Sequence, residues 1–337
     1  MINQVYQLVS PKVFSVKYDD ISFGDQLIVR PEYMAICRAD QRYYLGQRDA
    51  KTLRKKLPMA LIHECCGHVV YDPAGKLPSG QPVVLVPNVA TQESDVIYEN
   101  YRTGSYFLSS GHDGFMCELI ATEPRQVVPY GGVPSQVAAI TEFVSVGVHA
   151  VERFGRVAHD IRRQIGIWGD GSLAYVVANL LRIRFPDCRL VVVGHSLRKL
   201  SLFSFADATY LSDDIPDDLA IDHAFECCGG EGSYAALEDI IRYIRPQGAV
   251  MLMGVSENRV PVQTRMVLEK GLTMVGCSRS GRADFESALS LMADTALQRR
   301  LRAIITEVEP VRSIEDIYRV FSDDLTTPFK TVFQWRL

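Results

Sequence analysis

The chain has 337 residues, with 36 Lys and Arg side chains against 40 Asp and Glu, for a formal net charge of −4. At about 100–200 residues per domain, this length predicts two domains. The charge balance offers no broad basic surface, which excludes nucleic acid as an expected partner. The longest stretch without a charged residue, 126–141, holds two prolines and two glycines, which excludes a helix spanning about 30 Å of hydrocarbon.

The eight cysteines bear on the expected location of the protein. Cys65 adjoins Cys66 and Cys227 adjoins Cys228, and adjacent pairs do not resemble the framework of a secreted protein. No C-x-x-C is present, so a cysteine-only structural zinc site is not expected. The N-terminal segment has no basic region followed by an apolar run. These features predict reduced thiols in a cytoplasmic protein that is not membrane-bound.

The first 125 residues alternate short β-rich runs with turn clusters such as residues 72–75. The predicted strands are residues 26–30, 67–71, 82–87 and 118–121. This spacing favours a compact, mostly antiparallel domain.

From about residue 135 the pattern changes to strands and helices in alternation. The predicted strands are residues 164–168, 189–193, 208–211, 223–227, 249–254 and 272–276, and the predicted helices are 172–185, 233–244 and 261–270. Near-continuous Val, Ile and Leu strands separated by helices indicate a parallel sheet covered on both faces. The tail is predicted to form one long helix at 284–300, a shorter helix and a final strand at 331–334.

Between the first of these strands and its helix lies Gly169-Asp170-Gly171-Ser172-Leu173-Ala174, a G-x-G-x-x-A turn. Gly169 permits the tight turn, Gly171 lets the backbone approach a pyrophosphate, and Ala174 allows the helix to pack closely on the strand. The helix N-terminus favours the negative charge of that pyrophosphate. We interpret the turn as a dinucleotide site that includes Leu173, although a plain glycine turn gives the same letters.

The end of the next strand bears on which dinucleotide binds. A carboxylate there would accept hydrogen bonds from a free ribose 2′-hydroxyl, but the chain continues as His195-Ser196-Leu197-Arg198-Lys199. Ser196, Arg198 and Lys199 can instead hydrogen-bond and neutralise a 2′-phosphate. We therefore predict NADPH; the alternative is that the two cations are solvated loop residues.

Three segments upstream of this turn contain metal-ligand residue types. Cys37 lies in I-C-R-A-D, His63 and Glu64 lie in I-H-E-C-C-G-H, and Glu142 lies in T-E-F-V-S-V. The pattern resembles the zinc-dependent medium-chain alcohol and polyol dehydrogenases over nearly the whole chain. The resemblance implies a GroES-like, mostly antiparallel β catalytic domain and a doubly wound Rossmann cofactor domain, an α/β protein overall.

By that resemblance, Cys37 and His63 bind a catalytic Zn²⁺, and Glu64 and Glu142 are the remaining carboxylate ligands or alternate at the metal and its water. Asp40 is expected to support a ligand rather than to bind the metal; a plain loop cap is the alternative. The four-cysteine zinc lobe of the family is absent, and Ala39 stands where many relatives carry the hydroxyl of a proton relay. The proton donor stays open among a metal-bound water, a substrate hydroxyl and His68.

Other segments resemble, more specifically, the ribulose-5-phosphate reductases, which form ribitol 5-phosphate for the CDP-ribitol of teichoic acids and capsules. These segments are residues 37–46, 109–116, 226–230, 267–272 and 276–281. The resemblance implies reduction of D-ribulose 5-phosphate by NADPH at zinc. Arg42 can contact a substrate phosphate through a forked pair of hydrogen bonds, with Tyr43 beside it and Arg38 or Arg48 assisting. The cluster Arg54-Lys55-Lys56 is interpreted as a solvated helix end.

These inferences give a domain scheme and a set of partners. Residues 1–145 and 279–337 are expected to form the zinc-binding domain, with residues 146–278 inserted as the NADP-binding domain. We expect a phosphosugar substrate, a homodimer or homotetramer, and a possible complex with a ribitol-5-phosphate cytidylyltransferase. The competing readings are an NAD-dependent polyol dehydrogenase of the sorbitol or xylitol type, and a relative that binds NADPH without chemistry.

Overall fold

A computed structural model describes all 337 residues, and the chain divides into two compact units. The first unit combines Met1–Ser145 with Arg279–Leu337, and the second is Val146–Ser278. Each unit has its own sheets and its own buried apolar core. Among the helices, none combines the length and the apolar character that crossing a membrane requires.

The first unit is mainly β-structure. Its elements up to residue 157 are β1 (Ile2–Ser10), β2 (Val13–Asp20), β3 (Leu27–Ala35), α1 (Arg38–Tyr44), α2 (Ala50–Lys56), β4 (Met59–Ala60), β5 (Glu64–Tyr71), β6 (Pro82–Leu85), β7 (Asn88–Val89), β8 (Tyr106–Phe107), β9 (Ile120–Thr122), β10 (Val127–Pro129), α3 (Ser135–Ala138) and α4 (Thr141–Val157). The last helix begins in the first unit and ends in the second.

The second unit contains one parallel sheet. Its remaining elements are β11 (Gln164–Trp168), α5 (Ser172–Arg184), β12 (Arg189–Gly194), α6 (Leu197–Leu200), β13 (Ala208–Leu211), β14 (His223–Glu226), α7 (Gly232–Tyr243), β15 (Ala249–Leu252), α8 (Thr264–Glu269) and β16 (Thr273–Gly276). The strand order is β13-β12-β11-β14-β15-β16, and all neighbours are parallel. The order reverses between β11 and β14, the switch point at which doubly wound sheets bind ligands.

The chain then returns to the first unit. The returning elements are α9 (Arg282–Met292), α10 (Thr295–Ala303), β17 (Ile305–Val311), α11 (Ile314–Asp324) and β18 (Lys330–Trp335). Strand β18 pairs antiparallel with β3, which makes it a central strand of the seven-stranded sheet ordered β10-β6-β5-β3-β18-β17, with β9 on β3. Only β17 and β18 pair in parallel in this sheet. The predicted α/β fold class, with one mostly antiparallel sheet and one parallel sheet, is confirmed.

Two predicted helices, one of them in the tail, and one omission need correction. The single helix predicted at 284–300 is two helices, because the Asp294 side chain accepts the backbone N–H of Leu297 at 2.8 Å and starts α10 anew. The helix predicted at 261–270 is shorter, beginning only at Thr264. The sequence reading omitted the N-terminal hairpin of β1 and β2, whose exposed second strand lacks a clear apolar alternation.

Candidate active site

The structure brings Cys37, His63 and Glu64 together at the meeting of two strands. Ala35, the last residue of β3, pairs with Glu64, the first residue of β5. Cys37 follows β3 directly and caps α1, so its thiol lies beside the start of β5. One ligand atom from each of the three residues lies within 4.8 Å of the other two. These residues form what we call the metal cluster.

Asp40 connects the cluster to the backbone around it. Its buried carboxylate accepts the N–H of Cys37 at 3.1 Å, the N–H of Ile62 at 3.0 Å and the hydroxyl of Ser109 at 2.7 Å. Its Oδ1 lies 3.5 Å from Nδ1 of His63. Burial opposes ionisation, but the charge of His63 and these hydrogen bonds hold the pKa of Asp40 below its usual value. An ionised Asp40 orients the imidazole and leaves Nε2 for a metal.

A residue that the sequence reading missed, Lys330, partners Glu64. Its Nζ donates to Glu64 Oε1 at 2.5 Å and to the carbonyl oxygen of Ile36 at 2.9 Å, and it lies 4.8 Å from the ring centroid of Phe143. Both charged side chains are buried. The other carboxylate oxygen, Glu64 Oε2, is buried with no hydrogen-bond partner. Burial raises the pKa of Glu64, and the charge of Lys330 opposes that rise.

Glu142 lies in the first turn of α4, close to the cluster but outside its 4.8 Å trio. It is 6% exposed. Burial raises the pKa of Glu142 to about 7, with the charge of His63 acting against the rise and that of Glu64 adding to it. Of the two carboxylates proposed as ligands, Glu64 therefore lies within 4.8 Å of Cys37 and His63. Glu142 lies outside this trio and interacts electrostatically with His63 and Glu64.

The donor set of the metal cluster fits zinc. A thiol sulfur, an imidazole nitrogen and a carboxylate oxygen are its usual ligands, and a catalytic site keeps one position open. The unpartnered oxygen of Glu64 is the observation that favours a cation here, because a buried acceptor without a partner is costly. His68, offered above as a proton donor, lies four residues along β5 from Glu64, about 13 Å at strand spacing.

Aromatic and cationic side chains adjoin the cluster. The ring of Phe107 lies 5.3 Å from that of His63, and the guanidinium of Arg279 lies 4.9 Å from the Phe107 ring. Arg279 has a left-handed backbone, with φ of 58°, which is unusual outside glycine and occurs at functional sites. Arg42 is half-buried on α1, and Tyr43 beside it is fully buried.

The glycine turn of the second unit has the geometry that its letters predict. Gly169 has φ of 127°, and a Cβ there would lie 3.0 Å from the Cys227 backbone. A Cβ at Gly171 would meet no atom within 4 Å, so the backbone is open to a ligand at the start of the 13-residue helix α5. Leu173 is partly exposed in its first turn and Ala174 is buried. Free N–H groups at this helix end suit a pyrophosphate.

The end of β12 holds a carboxylate that the sequence reading missed. Oδ2 of Asp170, from within the glycine turn, accepts the N–H groups of His195 and Ser196, each at 2.8 Å. Its other oxygen lies 3.9 Å from Nζ of Lys199, while Arg198 is exposed. The strand itself lacks an acid, as predicted, but an acid reaches its end from the turn. Two backbone amides and one cation therefore already lie against the carboxylate of Asp170.

Known proteins resemble the chain over its whole length. Residues 24–134 match the alcohol dehydrogenase GroES-like domain, and residues 188–294 match the zinc-binding dehydrogenase family. The ribulose-5-phosphate reductase of Streptococcus pneumoniae is 54% identical over 340 residues, covering 100% of this chain and 98% of that protein. The crystal structure of S. aureus TarJ in complex with NADPH has a TM-score of 0.89 and 41% identity, covering 100% of both chains. Sorbitol dehydrogenase 2 of Saccharomyces cerevisiae is 26% identical over 326 residues, covering 84% of this chain and 87% of that protein.

Proposed function

The chain belongs to the zinc-binding alcohol dehydrogenase family, and from that premise we propose that it reduces D-ribulose 5-phosphate to D-ribitol 5-phosphate with NADPH. The observation that carries the proposal is the trio of half-buried Cys37 with buried His63 and Glu64, in which one carboxylate oxygen has no partner. Residues 1–145 and 279–337 are assigned to the zinc-binding domain and residues 146–278 to the NADP-binding domain.

In the first unit, Cys37 and His63 would hold Zn²⁺ with Glu64, and Glu142 is the fourth candidate ligand. When bound, zinc supplies a Lewis acid that polarises the C2 ketone, and NADPH supplies the hydride. Asp40 keeps the imidazole of His63 in the orientation that ligation requires. Without a metal, burial raises the pKa of Glu142 to about 7, so a bound cation would favour its ionised, ligating form.

In the second unit, the glycine turn would bind the pyrophosphate of NADPH through Gly169, Gly171, Leu173 and Ala174. The contacts proposed for the 2′-phosphate are Ser196, Arg198 and Lys199. The hydroxyl of Ser196 also accepts the N–H of Lys199 at 3.4 Å and caps α6, which holds these three residues in one short ordered segment. Arg42 and Tyr43 are proposed to contact the substrate.

The polyol alternative, an NAD-dependent enzyme of the sorbitol or xylitol type, rests on one observation. The carboxylate of Asp170 stands at the end of β12, where an acid would accept hydrogen bonds from a ribose 2′-hydroxyl. Lys199 beside the other oxygen of Asp170 weighs against this role, because a cation there favours a 2′-phosphate over a neutral hydroxyl.

Several wider assignments are also proposals. All eight cysteines are free thiols, which suits a cytoplasmic enzyme. Its ribitol 5-phosphate would supply CDP-ribitol for teichoic acid or capsule synthesis through a cytidylyltransferase. A complex with that enzyme is also proposed, and co-purification of the two proteins tests it. Strand β16 is an edge strand of the parallel sheet and is available for pairing in a homodimer or homotetramer.

A substrate panel tests the function. Initial rates are measured for D-ribulose 5-phosphate, D-ribulose and D-xylulose, each with NADPH and with NADH. We expect the highest kcat/KM for the phosphorylated ketose with NADPH. A preference for an unphosphorylated ketose with NADH would favour the polyol alternative, and no oxidation of either nicotinamide would favour a binding protein without chemistry.

A further inference from the structure

The hydroxyl of Tyr43 is a buried polar group with no partner. Tyr43 is 1% exposed, and its hydroxyl makes no hydrogen bond. An unpaired buried hydroxyl destabilises the folded state, so such groups in folded proteins are normally paired. A hydroxyl left in this state on α1, the helix that Cys37 caps, indicates a polar ligand that completes it.

Two cations lie against the same ring. The guanidinium carbon of Arg48 is 4.8 Å from the Tyr43 ring centroid, and Nζ of Lys56 is 5.8 Å from it. The guanidinium of Arg279 interacts electrostatically with the same phenol. Two positive side chains therefore lie against one buried phenol and a third interacts with it electrostatically, an arrangement that repels other cations and attracts an anion.

Lys56 differs from its two basic neighbours on α2. Arg54 and Lys55 are exposed, as expected of a solvated helix end, but Lys56 is half-buried. Its Nζ donates to the hydroxyl of Ser110 at 2.8 Å and pairs with no carboxylate. A Cβ at Gly111 would lie 3.3 Å from Cγ of Lys56, so the glycine leaves room for the lysine stem. The interpretation of Lys56 as part of a solvated end is therefore wrong.

The loop that contacts Lys56 also contacts Asp40, the residue behind the zinc ligand His63. Ser110 accepts from Lys56, while the preceding residue, Ser109, donates to Asp40 at 2.7 Å. Asp40 in turn faces His63. One short segment, Ser109-Ser110, therefore connects Lys56 with the residue that positions the zinc ligand His63. A small substrate with a phosphate at one end and a ketone near the other would contact both places.

We propose that Lys56 and Arg48, with the hydroxyl of Tyr43, form the subsite for the phosphate group of the substrate. This inference rests on the proposed reduction of a phosphosugar and assigns the group that selects it. A phosphomonoester dianion accepts charge-assisted hydrogen bonds from a lysine, an arginine fork and a phenol together. Both cations are carried on long side chains, so they can turn from the ring of Tyr43 toward the ligand.

The test compares Lys56→Gln with Lys55→Gln. The second substitution removes the same charge from an adjacent, exposed lysine. We measure kcat/KM with NADPH for D-ribulose 5-phosphate and for D-ribulose. Lys56→Gln is expected to lower the value for the phosphorylated ketose about 10–100-fold, the worth of one hydrogen bond to a charged group. The value for D-ribulose should stay within about twofold, and Lys55→Gln should change neither.

Equal losses on both ketoses in Lys56→Gln would overturn the inference, because a merely structural lysine would affect them alike. The same values in Lys56→Gln and Lys55→Gln would also overturn it. Arg48→Gln and Tyr43→Phe are expected to give the same selective loss, smaller for Tyr43→Phe because one neutral donor is removed.

A binding measurement separates this inference from the proposed function. Titration calorimetry of the zinc-loaded protein with inorganic phosphate is expected to detect binding that Lys56→Gln weakens and Lys55→Gln does not. The unaltered protein could reduce neither ketose and still bind phosphate in a way that only Lys56→Gln weakens. That result would refute the proposed reduction and support the anion subsite. Equal binding of phosphate by both variants would refute the subsite whatever the activity.

Discussion

The metal cluster of the first unit and the glycine turn of the second are assembled in different ways. The metal cluster and its two buried neighbours, Glu142 and Lys330, come from four separate parts of the chain. Nearly all of these residues are buried. The nucleotide turn uses residues 169–174 and 194–199, two short segments whose polar and charged side chains are exposed or half-buried. A contiguous motif displays its whole site in the sequence, whereas a dispersed site displays only fragments.

Burial also changes how the two sites depend on their charges. In the cluster, removing one charge leaves its partner buried without compensation, which costs several kcal/mol. At the end of β12, Arg198 is exposed and solvent screens its interactions, so single changes there cost little. We therefore expect substitutions to have large effects in the first site and small ones in the second.

The largest expected effect is that of Cys37→Ser on zinc content. A hydroxyl is a poor zinc ligand, and even changes to groups behind a ligand lower metal affinity about 10–100-fold, so loss of a direct ligand should exceed this. Metal analysis should find far less than the one zinc per chain expected of the unaltered protein, and reduction should fall with it.

The matched control for this variant is Cys65→Ala. Cys65 follows Glu64 on β5 and belongs to the apolar core on the other face of the strand. This variant should keep its zinc and lose only packing energy. Full zinc retention in Cys37→Ser would remove Cys37 from the cluster's ligands.

Lys330→Met should have the next largest effect, on the free energy of unfolding of the metal-free protein. It leaves the buried carboxylate of Glu64 without its cation, which costs about 3–5 kcal/mol. Denaturant unfolding measures the loss, and added zinc should recover part of it because the metal replaces the missing charge. A loss below about 1 kcal/mol would show that the pair does not behave as a buried one.

Acid should weaken the second unit through a buried histidine. Burial, with the charge of His159 as a smaller cause, lowers the pKa of His223 to about 4 from a usual 6.5. The contacts of its Nε2 with the carbonyls of His159 and Ile161 oppose this shift, and its Nδ1 accepts the N–H of Ala249. Below pH 6.5 the unfolded chain binds a proton that the folded one does not, so stability present above pH 6.5 is lost as the pH falls to 4.

This loss should amount to roughly 2–3 kcal/mol in the unfolding free energy. Denaturant unfolding between pH 7 and pH 4 measures it. In His223→Gln, which cannot take up the proton, the slope attributable to this group should vanish. An unchanged slope would show that other groups account for the acid sensitivity.

The smallest expected effect is that of Arg198→Ala on cofactor choice. Loss of one exposed cation should raise the KM for NADPH about 5–10-fold, in the lower range for a charge-assisted contact. The KM for NADH should not change, because NADH has no 2′-phosphate. Equal changes for both nicotinamides would assign Arg198 to folding rather than to the 2′-phosphate.

The predictable part of the molecule follows this same division. The glycine turn and the parallel sheet were visible because each strand is a continuous apolar run, such as Leu190–Val193 in β12. Lys330 is not predictable from the sequence, because no motif surrounds it in the chain and its partner Glu64 is 266 residues away. Asp170 was visible as a letter, but only the fold shows its carboxylate on the amides of His195 and Ser196.

Helix boundaries show the same limit on a local scale. Apolar spacing predicted one helix over residues 284–300, yet Asp294 ends one helix and starts another by capping with its own side chain. Lys56 was read with Arg54 and Lys55 as one basic run. Sequence spacing does not show that only the last of them turns inward to Ser110.

One measurement tests the central claim most directly: NADPH oxidation with D-ribulose 5-phosphate before chelation, after removal of the metal, and after zinc is added back. The account predicts rapid oxidation, its loss on chelation together with one zinc per chain released, and its return with zinc, with D-ribitol 5-phosphate as the product. Full activity in the metal-free protein would contradict it.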